Sequence, residues 1–382
     1  MDQIVASPSV PAIVPSFATR IVFTGRRGDF LRLLVRGAGL ELVTLGFYRF
    51  WLATDMRRHL WANTSVDGDS LEYTGTAKEL LIGFLFAMAV LVPISLIYFL
   101  VGLEAERVQA FASVPLALFF VLFGQFAIYR ARRYRLSRTV WRGVRFWMNG
   151  SGWDYAWRAA LWSVLVGITL GLALPWRTAA LERFKMRHSF YGELQGCFEG
   201  RGGEFFKRGW WLWLLAWPLL ILPFLLPFIY AMYKAIEWRW WLNGIRFGEV
   251  RVTSDLPRGA LHGLYWKVIG WSLVVSTGLS IWVGVVFALA AIIGGANQLS
   301  SPEALAAIQH PLTLIGMGLG YVVCALAMNV VMRIHLTRDM WQRVAQSAEI
   351  HNLAAAQDVS AQGTMTGAIG EGFADSLDVG GF

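Results

Sequence analysis

The stretch LLIGFLFAMAVLVPISLIYFLVG, Leu80 to Gly102, carries no charged side chain. It exceeds the ~18 to 20 apolar residues that a helix needs to cross ~30 Å of hydrocarbon. Phe111 to Tyr129, Val268 to Gly294 and Pro311 to Met332 read the same way and are equally free of charge. A water-soluble fold has no use for such segments. The four are therefore read as membrane spans, and the chain as a polytopic helical membrane protein.

Composition agrees. Hydrophobic residues make up 56% of the chain and charged ones only 15%, against about 25% in soluble domains. The 19 Trp and 25 Phe suit interfaces where a ring meets both lipid and water. The net charge of +9 fits Lys and Arg gathered on the cytoplasmic side, and no nucleic-acid module is visible. Cys197 and Cys324 stand alone, and the six histidines (His59, His188, His262, His310, His335, His351) have no ligand spacing. No metal site, disulfide framework or cofactor is expected. Residues 1–19 lack a signal peptide and read as a disordered tail. Residues 346–382, rich in Ala, Gly, Ser and Asp, read as a second.

The sequence is self-similar. At an offset of 125, Thr44-Leu45-Gly46 recurs as Thr169-Leu170-Gly171, and Gly25, Trp51, Arg58 and Gly75 match Gly150, Trp176, Arg183 and Gly200. Phe23-Thr24-Gly25 returns as Phe198-Glu199-Gly200. Arg133, Arg138 and Trp141 recur as Arg333, Arg338 and Trp341. The plan within residues 20–345 is thus three modules (about 23–75, 148–200 and 198–253) and two helical hairpins (about 80–129 and 268–332). Ile21-Val22-Phe23 and Leu71-Glu72-Tyr73 read as short strands beside the membrane. Val66-Asp67-Gly68-Asp69 reads as a turn, and Ile245 to Thr253 as a strand bulged near Gly248.

The seven arginines between Arg130 and Arg145 place that segment, and the C-terminus after Arg343, in the cytoplasm. The tips Leu103–Ala110 and Ala296–His310 should then lie outside. The module segments, Phe30–Trp51, Ala156–Trp176 and Trp210–Tyr233, admit two readings. Plain spans are commoner and give seven membrane helices. Re-entry obeys the charge rule, because the basic loop 177–209 then stays inside. The expected class is an all-α polytopic membrane protein of about seven membrane segments, with short juxtamembrane β elements.

Phe23-Thr24-Gly25, Val43 to Tyr48, Arg57-Arg58 and Arg138 to Phe146 resemble the YjgN family of bacterial inner-membrane proteins, over about residues 20–345. The resemblance implies an inner-membrane location. It implies no reaction and no catalytic residue.

No Walker motif, Gly-x-Ser-x-Gly or His-Glu-x-x-His is present, so no enzymatic activity is expected. Glu41, inside a membrane segment, is the chief candidate for a functional charge, with Arg36 and Arg32 as its partners. Arg135, Arg138, Arg142 and Arg145 fall at i, i+3, i+7 and i+10. On a helix this is one face suited to anionic lipid headgroups. Gln125, Asn329 and Ser95 are further polar groups in spans. The leading functional expectation is transport or permeation of a small solute or lipid. The alternative is a non-catalytic scaffold binding anionic lipid or a protein partner.

Overall fold

The computed structural model describes residues 18–107, 113–216, 218, 225–293 and 310–363. The expected short strands form, but as parts of one large sheet. Eleven strands run in the order β3-β2-β1-β11-β10-β9-β8-β7-β6-β5-β4, and every pairing is antiparallel. The terminal strands β3 (Asp69–Ser70) and β4 (Glu72–Tyr73) are separated by Leu71 alone. β3 pairs with β2 (Thr64–Val66) and β4 with β5 (Thr139–Trp141). One extended run therefore serves both ends of the sheet and draws it into a nearly closed barrel, which leaves little open edge.

This overturns the all-α, seven-span expectation. The strands hold two to five residues each, too short to display the alternation that marks a strand in sequence. Their partners come from far away: Thr19 in β1 (Thr19–Phe23) pairs with Ile350 in β11 (Ala348–His351). Gly248 is no bulge. With Glu249 it forms the turn between β9 (Ile245–Phe247) and β10 (Val250–Ser254), whose closing pair is Phe247 and Val250. Similar two-residue turns join β2 to β3 at Asp67-Gly68, β5 to β6 (Val144–Met148) at Arg142-Gly143, and β7 (Ser189–Tyr191) to β8 (Leu194–Phe198) at Gly192-Glu193. Asp67, Gly68, Arg142 and Gly143 all take positive φ, the backbone that matches strand twist in a tight hairpin.

The opposite rim carries the helices. Five times the chain leaves a strand, makes a helical excursion and returns to the neighbouring strand. The excursions are α1 (Arg27–Val43) with α2 (Arg49–Ala62), α3 (Ala77–Arg107) with α4 (Ser113–Ser137), and α5 (Gly152–Ile168) with α6 (Leu174–Arg187). Then come α7 (Gly202–Ala216) with α8 (Leu226–Gly244), and α9 (His262–Ile293) with α10 (Pro311–Met332), a π-helical turn (Arg333–Asp339) and α11 (Met340–Gln346). One backbone hydrogen bond closes each exit: Thr24 to Asn63, Thr74 to Arg138, Asn149 to His188, Glu199 to Gly244 and Asp255 to Ser347, N–H to carbonyl.

Two of the module segments do not run straight across; the third, Trp210–Tyr233, lies in part outside the described residues. α1 and α5, of 17 residues each, reach only about 25 Å. Each then ends in the Thr-Leu-Gly turn. Thr44 and Thr169 donate their hydroxyls to Leu40 and Leu165 and accept the N–H of Tyr48 and Ala173. Gly46 and Gly171, at φ +90° and +92°, adopt the left-handed backbone that glycine permits at a helix end. The chain turns back into α2 and α6, so these segments are helix–turn–helix hairpins rather than plain spans.

Among the described residues, three helices are long and apolar enough to cross a membrane: Ala77–Val101, His262–Ile293 and the helix beginning at Pro311. The expected fourth span corresponds to α4, whose last turns carry Arg130, Arg132, Arg133 and Arg135. Its approach lies in part outside the described residues, as do the tip segments of both long hairpins. α9 and α10 pack closely, with Trp282 Nε1 donating to the Gly316 carbonyl at 2.9 Å. A side chain at Gly320 would collide with the same indole, a small-residue contact of the kind membrane helices use.

An apolar cluster packs at the turn-side end of the barrel. Val66, Trp141, Tyr191 and Val250 pack with Leu353 and Ala356, and Val359 lies against them. The expectation of a disordered tail from residue 346 is thereby corrected. β11 completes the sheet, and the 3₁₀ turn Leu353–Ala356 seats in its core. Apolar residues spaced along 348–359 earn this place despite a polar average composition. At the other end Thr19 belongs to β1. The remainder of both tail assignments, 1–17 and 364–382, lies outside the described residues.

Candidate functional site: a charged cavity beside the first hairpin

α1 buries Phe30, Leu34, Gly37 and Glu41, one stripe at i, i+4, i+7 and i+11. Gly37 lets α2 approach, since a Cβ there would collide with Leu52. The hairpin turn then sets Glu41 and Arg49 one helical turn to either side of Leu45. Across from it, α10 presents Leu319, Val322, Leu326 and Asn329, and Arg333 follows just beyond its end. Together these residues bound a cavity of about 710 Å³.

The cavity grades from apolar to charged along α10, since its lining positions run Leu, Val, Leu, Asn, Arg. Glu41 is 7% exposed. The Arg49 guanidinium lies 4.6 Å from the Phe84 ring centre and 4.9 Å from that of Phe50, an arrangement that steadies a cation without neutralising it. Nη1 of Arg333 is buried with no hydrogen-bond partner, which costs free energy unless a ligand or water meets it.

Arg32 and Arg36 are not partners of Glu41. Both project from the exposed side of α1, and Arg32 lies 3.8 Å from Asp29. The charged neighbours that sequence reasoning missed are Arg49 and Arg333, which line the same cavity. No local pattern names Arg333. Beyond the repeat of Arg133, a signal was the i, i+3, i+7, i+10, i+14 stripe from Leu319 to Arg333, which sets the polar end of a span on one face.

The expected arginine face does not exist as a helical face, because α4 ends at Ser137. Arg138 lies 3.0 Å from Glu79 through both Nε and Nη2. Arg142, in the β5–β6 turn, reaches Asp67 at 2.8 Å and Asp69 at 2.5 Å. Arg145 donates to the Ser137 carbonyl at 2.5 Å and to Thr74 Oγ1 at 3.3 Å. Arg135 sits two residues before the helix end. Arg138 and Arg145 thus tie the second excursion to the barrel, and Arg142 ties the β5–β6 turn to the β2–β3 hairpin.

A second charged cluster lies between hairpins. Glu182 accepts from Arg132 at 3.0 Å and from Trp241 Nε1 at 3.1 Å, and Lys185 is bonded to it as well. Burial opposes its charge, but Lys185 and Arg132 outweigh that and hold the carboxyl down at about 2. In the π-helical turn, His335 Nδ1 lies 3.2 Å from Asp339, which Arg338 also engages at 2.6 Å. Burial and Arg27 lower the His335 pKa. Among the described residues no group of three or more His, Cys, Asp or Glu could hold a metal ion.

The model of a family described as bacterial protein of unknown function, DUF898, matches residues 18–237. The chain belongs to the DUF898 family. The match begins just before β1 and ends within α8, so it takes in the first three excursions and the cavity's hairpin wall. Among curated proteins, the chain is similar to inner membrane protein YjgN of Escherichia coli (strain K12). That relative is 25% identical over 171 residues, 45% of this chain and 40% of the relative. The protein of the same name from Escherichia coli O157:H7 is 27% identical over 175 residues, with the same coverage. The chain thus spans about 40% of the length of the curated relatives it matches. The YjgN resemblance read from the sequence holds. The relatives' names and the three apolar helices together support an inner-membrane location. No solved structure matches.

Proposed function

We propose that this DUF898 chain is a non-catalytic membrane platform, a β-barrel held at the cytoplasmic surface of the inner membrane by its helical excursions. The observation that carries this reading is the apolar plug at the turn-side end of the barrel, where Val66, Trp141, Tyr191 and Val250 pack with Leu353, Ala356 and Val359 of the chain's own C-terminal segment. A conduit needs a wet path, and a closely packed core gives water no polar partners. The exposed apolar tips support the seating: Leu45 is 90% and Ile168 74% exposed, expensive in water and favourable in lipid. The arginines between Arg130 and Arg145 favour a cytoplasmic barrel, and with it a cytoplasmic C-terminal strand. The transport expectation becomes the second reading, supported only by the Glu41 cavity.

The test uses native Cys197, exposed on β8, as an internal control. With Cys324 replaced by Ala, Cys197 should resist an impermeant thiol reagent in intact cells and react in inside-out vesicles. A Val250→Cys thiol inside the barrel should remain inert under conditions that label Cys197 fully. Equal labelling at both positions would reveal a water-filled lumen and favour permeation.

A further inference from the structure

We propose that the cavity between the first hairpin and α10 is a binding site for one membrane aminophospholipid. Its phosphate lies between Arg49 and Arg333, its ammonium lies at Glu41, and an acyl chain runs along Leu319 and Val322. The inference rests on the membrane seating proposed above, but not on the apolar plug of the barrel.

Polarity comes first. The stripe on α10 is apolar for its first three lining positions and polar for its last two, over about 20 Å of helix rise. That gradient matches one phospholipid lying alongside a span, with its headgroup toward the barrel. The volume is the second point. About 710 Å³ accommodates a headgroup, its glycerol and the first part of a chain, within the usual range of ligand pockets.

Charge selects the headgroup. Arg49 and Arg333 offer guanidinium forks suited to phosphate, and Arg333 brings a buried nitrogen with no hydrogen-bond partner. Glu41 lies close enough to feel both cations, and among the described residues no ion pair joins it to either. A ligand that is only an anion would occupy the guanidiniums and leave the buried carboxylate uncompensated, which is costly. A ligand with its own cation answers both. An ammonium has three N–H donors for Glu41 and for the Asn329 amide oxygen; a quaternary choline has none.

The full-length protein, purified in mild detergent, is to be mixed in turn with dioleoyl phosphatidylethanolamine, phosphatidylcholine and phosphatidylglycerol, and bound lipid counted by native mass spectrometry. Phosphatidylethanolamine should be retained ahead of the other two. The double variant Arg49→Gln, Arg333→Gln should reduce that retention about tenfold or more, as expected from losing two near-surface cations. Glu41→Gln should abolish the preference over phosphatidylcholine. Leu326→Trp, which fills the cavity while keeping every charge, should displace the lipid too and guards against misfolding of the charge variants. Equal retention in wild type and both cavity variants, or phosphatidylglycerol ahead in the wild type, would overturn the proposal. Membrane seating is read separately, by quenching of a fluorophore on Leu45→Cys with brominated lipid, in a background lacking Cys197 and Cys324. Quenching without lipid retention would sink the pocket alone; absent quenching would sink the seating as well.

Discussion

The first and second hairpins, α1–α2 and α5–α6, share one backbone and differ in what they face. Their turns are made by the same Thr-Leu-Gly, with the same hydroxyl bonds and the same positive φ at leucine and glycine. At the same place before the turn, the carbonyl of Glu41 accepts the Gly46 N–H and that of Val166 the Gly171 N–H, at 2.7 and 2.8 Å. Both tips expose apolar side chains, Val43 and Leu45 on the first and Ile168 and Leu170 on the second, yet on the inner side Glu41 is buried against a cavity with two arginines where the second hairpin has the partly covered Val166. At the matching position of the return helix the first hairpin has Arg57 and the second Glu182. Turn chemistry fixes the path of the chain. The residues around it decide whether a hairpin meets lipid, a cavity or an ion cluster.

The hardest blow to that comparison should come at Glu182. Glu182→Leu leaves Arg132 and Lys185 buried without their counter-charge and should cost about 3 to 5 kcal/mol, read as a lowered thermal transition in detergent. The folded carboxyl titrates near 2 against an ordinary 4.5. Its contribution is therefore complete above 4.5 and lost as pH falls toward 2. The gap between wild type and Glu182→Gln should shrink over that window; a gap independent of pH would remove Glu182 as the anchor.

Exchanging the tips comes next. On the seating proposed above, Val166→Glu puts a charge at a partly covered position of an apolar tip and should disfavour membrane insertion by about 2 to 3 kcal/mol. Glu41→Val, at the same place in a cavity wall, should leave insertion intact. Carbonate extraction of both variants measures the contrast, and equal behaviour would mean that the two tips share one environment.

Gly46→Ala and Gly171→Ala should each lose about 1 to 2 kcal/mol, because an L side chain is strained at these φ values. The losses should agree with each other, since the turns are alike. A large difference in thermal stability would break the equivalence.

Smallest are Thr44→Ala and Thr169→Ala, which remove one donated and one accepted hydrogen bond at a helix end. Each should cost about 1 kcal/mol, visible as faster amide exchange at Tyr48 and Ala173. Exchange unchanged at both sites would make the hydroxyls incidental.

The apolar runs and the Thr-Leu-Gly repeats were legible because each is a local pattern with a local cause. Ile21 to Phe23 and Leu71 to Tyr73 were legible as strands, and Asp67-Gly68 as a turn. The barrel was not, because it is defined by pairings such as Thr19 with Ile350, which no window can show. The arginine face failed for the opposite reason. Helical spacing was applied across Ser137, where α4 gives way to β5, and Arg142 went instead to a tight turn. Glu41 was legible as an unusual carboxylate; Arg333, nearly three hundred residues later, is its neighbour only through the fold.

The place of β11 in the barrel bears on synthesis at the ribosome. β11 lies between β1 and β10, so the first strand made waits for the last. Until residue 351 emerges, β1 and β10 each present a free edge, although all five excursions have already been made. Closure is then a late event with a long loop to pay for. A chain interrupted before Ala348 would be left as an open sheet, ready to pair with another such chain.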